Sequence, residues 1–257
     1  MTLNYAKLEE LYSRYNKRNL VSPDPLQFLY DYEDLYDREI VALLAASLAY
    51  GRVAQILKSV QKVLDCMTPS PRRFIIESKE CEFRKIFQSF KHRFTTGSDI
   101  ANLFSGIQAA ILEHNSLEAC FAAGYSEDNK DIIPALNKFS ETICRFYPNR
   151  TAYLLPAPSR GSACKRPMLF LRWMVRSDEV DIGGWKSIPK SKLIIPLDTH
   201  MHKISTKFGL TSRRNADLKS AVEITESFAE INPEDPVKYD FALTRFGIRD
   251  DMKIEDI

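Results

Sequence analysis

Glycine is scarce, nine in 257 residues, and none of the glycine-rich phosphate-binding patterns occurs, which excludes P-loop and dinucleotide-binding readings. The five cysteines, Cys66, Cys81, Cys120, Cys144 and Cys164, are odd in number and scattered, with no C-x-x-C pair. That spacing argues against a disulfide framework and against a cysteine-ligated zinc or iron–sulfur site, and it fits a reducing, cytoplasmic setting. Long apolar runs are also missing. The most apolar stretch, Ile40 to Tyr50, falls far below the ~18 residues needed to span a membrane. The first twenty residues are polar throughout (Asn4, Lys7, Glu9, Glu10, Arg14), so no secretory signal is expected. Net charge is nearly absent too, with 36 Lys and Arg against 34 Asp and Glu, a total of +2.

What is present is unevenly placed. Between Arg160 and Arg214 there are 12 Lys and Arg against four acids (Asp178, Glu179, Asp181 and Asp198), a net of +8. The remaining residues carry 24 basic against 30 acidic groups, a net of −6. A basic quarter on an otherwise acidic chain is the charge pattern of a nucleic-acid-facing surface. With 44% apolar residues the chain can bury a core, and its length allows one or two domains.

The hydrophobic period is helical nearly everywhere. Ile40, Leu43, Leu44 and Ser47/Leu48 follow i, i+3, i+4, i+7/8 behind Asp37 as a candidate N-cap. Val53, Ile56, Leu57, Val60, Val63 and Leu64 continue until Thr68-Pro69, and Ser70-Pro71 reads as a cap and first-turn proline. Ile100, Leu103, Phe104, Ile107 and Ile111 form another stripe, started by Ser98 or Asp99. Ser116 opens a helix ending at Gly124, and Asp131 to Tyr147 reads as the next. Leu154 to Gly161, with two prolines and a glycine, is irregular. Helix resumes from Cys164 to Arg176, followed by a basic loop with Gly183-Gly184. Asp198 opens a helix that closes at Gly209, Asn215 caps one reaching Ile231, and Asn232 or Asp235 with Pro236 begins the last, ending at Gly247. Its buried face is expected to be Tyr239, Ala242, Leu243 and Phe246. Only Lys192 to Leu197 has strand character, and Pro196 weakens it. The expected fold class is all-α, with ten to twelve helices.

Chemistry concentrates in two stretches of the basic segment. In Pro158-Ser-Arg-Gly-Ser-Ala-Cys-Lys165-Arg166 a Pro- and Gly-containing turn leads into a helix N-terminus, where outward backbone N–H groups favour an anion. Arg160, Lys165 and Arg166 add charge, which makes the turn a candidate phosphate clamp. In Pro196-Leu-Asp198-Thr-His-Met-His-Lys203 a short carboxylate stands at a helix start, where amide hydrogen bonds keep it ionised. A lysine and an ionised carboxylate on a DNA-binding surface suggest attack of an amine on a sugar C1′, with the carboxylate stabilising the developing positive charge. An ordinary lysine, with a pKa of ~10.4, must first lose its proton.

The stretch Ile195-Pro-Leu-Asp-Thr-His-Met-His-Lys-Ile-Ser-Thr-Lys-Phe-Gly-Leu210 resembles the V-D-T-H-[VI]-x-R…G-L motif of helix-hairpin-helix (HhH-GPD) DNA glycosylases. Within that superfamily, Leu48-Ala-Tyr-Gly-Arg52 and Gly161-Ser-Ala-Cys-Lys-Arg166…Phe170-Leu-Arg-Trp-Met174 are most similar to the bacterial DUF2400 group, over most of the chain. The gap from Lys165 to Asp198 resembles the archaeal 8-oxoguanine glycosylase branch. The resemblance implies a two-lobed helical architecture, with a larger lobe over about 37–177 and a smaller one from 1–36 plus 197–257. It implies a duplex DNA partner, damaged or abasic, and base excision with Asp198 as the catalytic aspartate and Lys165 as the nucleophile. DNA contacts are expected from Arg160, Gly161, Ser162, Arg166, Lys203, Lys207, Arg213 and Arg214. Tyr50, Arg52 and Trp185 are candidate base-pocket residues. Two departures from the family pattern stand out. Lys165 lies four residues past Gly161 instead of two, and Pro167 falls in the first turn of its helix. The four-cysteine cluster loop of some relatives is absent, so no iron–sulfur cofactor is expected.

Each of these residues has a plainer reading. Asp198 serves equally as an N-cap, and Lys165 as a solvated charge or phosphate contact. Cys164 is either a low-pKa thiol in a cationic turn or a small buried hydrophobe. Trp173 reads as core, and Trp185, beside Gly183-Gly184, as the better pocket wall. A non-catalytic DNA-binding protein that retains the fold is the main alternative. Asp198-Thr-His200-Met-His202 also matches a D-T-H-x-H metal motif, but that motif needs a strand to place both imidazoles on one side. The preferred reading therefore has no metal.

Overall fold

A computed structural model describes residues 4–146, 153–248 and 252. Twelve α-helices lie among them: α1 Tyr5–Tyr15, α2 Leu35–Ser47, α3 Val53–Leu64, α4 Pro71–Glu77, α5 Glu80–Ile86, α6 Gly97–His114, α7 Leu117–Ala122, α8 Ile133–Cys144, α9 Lys165–Val175, α10 Thr199–Lys207, α11 Leu218–Ile231 and α12 Asp240–Ile248. The fold class is all-α. The strands described are two short ones, β1 Lys91–His92 and β2 Thr95–Thr96, paired as an antiparallel hairpin. Lys192 to Leu197 forms no strand; it begins in a 3₁₀ turn at Lys190–Lys192 and continues as extended chain. None of the described helices is long and apolar enough to cross a membrane.

The chain divides into two compact units. One comprises residues 22–129 and 133–157, the other residues 1–21, 130–132 and 158–257. The division falls before Pro158, so α9 belongs with the C-terminal helices instead of with the 37–177 lobe drawn from the sequence. Buried ion pairs join Arg172 in α9 and Arg176 just after it to Asp240 and Asp235 of the same unit.

In the first unit, α6 is the central element. Ile100, Leu103, Phe104, Ile107 and Ile111 are buried as their spacing requires. Phe74, Phe83 and Phe87 from α4, α5 and the turn after it pack around Phe104 with ring centroids 5.4–6.3 Å apart. Gly106 allows α8 to cross closely, since a Cβ there would lie 1.9 Å from the Ile143 carbonyl oxygen. Capping shows both the strength and the limit of local sequence. Ser70 and Ser116 cap α4 and α7 by accepting from Arg73 and Ala119 N–H. The cap of α2, however, is Asp34, which accepts from Tyr36 and Asp37 N–H. Asp37 instead turns to α4, accepting from Ser70 Oγ and Arg72 N–H at 2.7 Å each. Helix α6 starts at Gly97 behind Thr96, with Asp99 completing a capping box. Val53 is exposed, α7 ends two residues before Gly124, and α8 spans less than the Asp131–Tyr147 expectation, whose last residue lies outside the described ones.

In the second unit, the predicted face of α12 is buried: Tyr239, Ala242, Leu243 and Phe246 are each at most 3% exposed. The cap of α11 is Asp217, not Asn215, and α12 begins at Asp240 after a turn through 236–239. Helix α10 runs as expected from its Asp198 cap, with Gly209 at φ +73 beyond its end.

Candidate functional site

Helices α9 and α10 start close together within the second unit. The chain reaches α9 through a 3₁₀ turn at Pro158–Arg160, Gly161 at φ +77 and Cys164 at φ +50. Ser162 Oγ accepts the Cys164 N–H at 3.2 Å, and Ser162 bridges to Asp217. Lys165 is then the first helical residue and Pro167 the third, a position whose N–H has no intrahelical partner to lose. Asp198 caps α10 by accepting from His200 and Met201 N–H at 2.9 Å each. Its other carboxylate oxygen, Oδ2, lies 2.9 Å from Lys165 Nζ. The Asp198 side chain is 14% exposed and that of Lys165 36%. Burial drives the Asp198 pKa up, but the Lys165 charge and the Met201 amide outweigh it, so the group sits below the usual carboxylate value. The structure thus brings together the two residues to which the sequence assigned chemistry.

Beneath this pair lies a buried ion network that the sequence reading did not find. Arg172, two turns along α9 from Lys165, bonds Asp181 at 3.1 Å and also Asp240. Arg176 bonds Asp181, Asp235 at 3.0 Å and Asp178 at 2.9 Å. Both guanidinium groups are buried. Two of the twelve basic residues counted in the segment are therefore core groups, neutralised partly by Asp235 and Asp240 from outside it. Burial pushes the Asp240 carboxyl up to about 6; Arg172 opposes the rise, while Asp198 and Asp181 add to it. The available signal was the spacing: Arg172 and Arg176 stand i, i+7 and i, i+11 from Lys165 on a helix rich in buried apolar side chains.

The remaining expected DNA contacts divide into three kinds. Arg160, Gly161, Ser162, Lys203, Lys207 and Arg214 are exposed, and Arg166 is partly so. Arg213 is engaged at the start of α11, with Asp217 at 3.3 Å and Ser220 Oγ at 3.1 Å. Trp185 is 3% exposed and meets Phe170 edge-on at 5.1 Å, so its ring packs in the core and is not an open pocket wall. Trp173 is buried as expected. Cys164 is buried too, and burial pushes its thiol up to about 11, which favours the packing reading over a reactive thiol. Tyr50 and Arg52 belong to the other unit. There Tyr50 donates to the His92 carbonyl at 3.0 Å, and Arg52 is exposed at the start of α3.

His200 and His202 both lie on helix α10 and face different partners. His202 Nε2 is 3.0 Å from the Arg213 carbonyl oxygen, while the His200 ring packs where a Cβ on Gly247 would otherwise sit. Among the described residues no cluster of His, Cys, Asp and Glu is arranged to hold a metal.

A family model described as a protein of unknown function (DUF2400) matches residues 24–249. The chain belongs to the DUF2400 family. That match spans α2 to α12 and includes Lys165, Asp198 and the whole Arg172–Arg176 network of this DUF2400 protein. No curated protein and no solved structure matches the chain.

Proposed function

We propose that this DUF2400 protein is a DNA glycosylase of helix-hairpin-helix (HhH-GPD-like) architecture that removes a damaged base at the Lys165–Asp198 pair. The observation that carries this reading is the 2.9 Å contact between Lys165 Nζ and Asp198 Oδ2 at two converging helix N-termini. Asp198 is within reach to take a proton from the lysine. The free amine then attacks the sugar C1′ of a flipped nucleotide; the glycosidic C–N bond breaks and its electron pair leaves with the base. The proton passes on to the departing base, which leaves Asp198 ionised to stabilise the positive charge that develops on the sugar. Opening of the sugar ring gives a Schiff base, from which strand cleavage can follow. Phosphates are held by Arg160, Lys203, Lys207 and Arg214 beside the Gly161–Arg166 turn.

A non-catalytic DNA-binding reading draws on the same contact, because a lysine–carboxylate pair also joins α9 to α10 without any chemistry. Base release separates the two. Duplexes carrying 8-oxoguanine, other oxidised bases and an abasic site are incubated with the wild type, Lys165→Gln and Asp198→Asn. Release that both substitutions abolish supports excision. Binding without release across the panel leaves the non-catalytic reading.

A further inference from the structure

The unit formed by residues 22–129 and 133–157 carries a second constellation, at the β1–β2 hairpin. Its turn residues are Arg93 and Phe94, with Arg93 at φ +53. Phe94 is 60% exposed although folding would gain by burying it. It is not loose. One face stacks on Tyr50, with centroids 5.0 Å apart and planes 25° from parallel, and Tyr153 meets it edge-on at 5.0 Å. Both tyrosine hydroxyls bond Thr95 Oγ1 in β2, Tyr153 at 2.8 Å. The exposed ring is thus held out on a braced support.

Beside it lies a pocket of about 250 Å³ lined by Gln55, Lys58, Ser59, Lys62, Lys91 and Arg93, with Phe90 and His92 behind. One water needs ~10–15 Å³ on the same measure, so the pocket has room for an anion with its waters. Four cations line it and no acid does; among the described residues none of the four has a carboxylate partner. His92 is a brace, not a ligand. Its Nε2 is 3.0 Å from the Tyr50 carbonyl, which can only accept, so Nε2 carries the hydrogen and Nδ1 accepts from Ser59 Oγ at 2.9 Å. Burial, with Arg93 beside it, lowers the His92 pKa and keeps that ring neutral. Gly51, at φ +97, leaves room for the Arg93 stem, which a Cβ would meet at 2.9 Å.

We propose that this surface binds single-stranded nucleic acid, stacking an unpaired base on Phe94 and seating an adjacent phosphate among Lys58, Lys62, Lys91 and Arg93. An aromatic platform next to a cationic groove is the arrangement that binds single strands without sequence preference. A lone exposed phenylalanine is ordinary; one clamped by two tyrosines, beside four cations with no carboxylate partner among the described residues, matches the chemistry of a base and its phosphate. The site uses neither Lys165 nor Asp198 and goes beyond the excision reading.

The test is fluorescence anisotropy with an undamaged, labelled 20-nucleotide single strand, on which no excision chemistry is needed. Base stacking is worth ~1–3 kcal/mol, so Phe94→Ala weakens binding about 5- to 150-fold, while Phe94→Trp binds at least as well as the wild type. The triple variant Lys58→Gln/Lys62→Gln/Lys91→Gln lowers the slope of log affinity against log salt by about 0.7, the single-strand value for one phosphate contact. A loss under fivefold in Phe94→Ala, with the circular dichroism melt unchanged, overturns the platform. So does a triple variant with the wild-type salt slope. Failure here with base release intact leaves the Lys165–Asp198 reading standing; the reverse result leaves this one.

Discussion

Asp240 has two oxygens in opposite situations. Oδ2 bonds Arg172, while Oδ1 is buried with no hydrogen-bond partner among the described residues. Burial raises the carboxyl to about 6 from an ordinary 3.8, with Arg172 opposing and Asp198 and Asp181 adding to the rise. The folded protein therefore binds a proton more tightly than the unfolded chain does. Asp240 favours folding most below about pH 4, and that contribution is lost as pH rises to about 6, after which it is flat. A two-unit shift at ~1.4 kcal/mol per unit makes the loss about 3 kcal/mol. Asparagine preserves the shape and an acceptor for Arg172 but cannot ionise. Asp240→Asn should therefore gain stability relative to the wild type by about 3 kcal/mol between pH 4 and pH 7. Urea unfolding of both proteins at half-unit pH steps measures that difference directly and cancels groups that titrate alike in both. Parallel curves, offset by a constant, would refute the assignment of a raised pKa to this buried carboxyl.

Three further outcomes are expected. Glu39 is buried and accepts from Leu117 N–H at 2.7 Å and Glu118 N–H at 3.0 Å, so Glu39→Ala should cost about 3 kcal/mol in urea unfolding; a loss under 1 kcal/mol would show that those amides find water instead. Cys66 and Cys81 are exposed and should react with a thiol reagent at pH 8, while Cys120 and Cys164, each pushed by burial to about 11, should react after unfolding only; early labelling of Cys164 would contradict its placement. Asp198→Ala should lose about 1 kcal/mol with its cap, and Asp198→Asn less, because the amide oxygen still accepts. Burial raises the Asp198 pKa but Lys165 and the Met201 amide lower it further, so the wild type gains stability from this group above the ordinary carboxylate range and loses it as pH falls through the lowered value. That acid limb should vanish in Asp198→Asn.

The sequence was most informative where one residue decides the outcome locally. Ser70, Ser116 and Asp198 were legible as caps because each stands directly before its helix and accepts from an N–H two or three residues ahead. Asp34 and Asp37 compete for one helix start, and the winner depends on α4, whose first turn claims Asp37 across the fold. The same holds for Asp217, preferred to Asn215 where Arg213 and Ser220 gather around it. Strands of two residues have no period to detect, and Arg93 takes its left-handed turn without the glycine or asparagine that usually marks one. Counting charge located the basic segment but could not separate solvent-facing lysines from buried arginines. Besides Asp178 and Asp181 nearby, Arg176 and Arg172 have partners, Asp235 and Asp240, that lie 59 and 68 residues away, a distance that composition does not see. Lys165 and Asp198 were legible from spacing and motif, whereas Trp185 beside two glycines looked like a loop residue and is core.

The central claim is that Lys165 attacks a sugar carbon with Asp198 beside it. Borohydride reduction of the protein incubated with abasic duplex tests it most directly, followed by peptide mapping of any adduct. The account predicts a covalent protein–DNA species linked through Lys165, absent in Lys165→Gln and strongly reduced in Asp198→Asn. No adduct, or one mapped to another lysine while Lys165→Gln still forms it, would contradict the account.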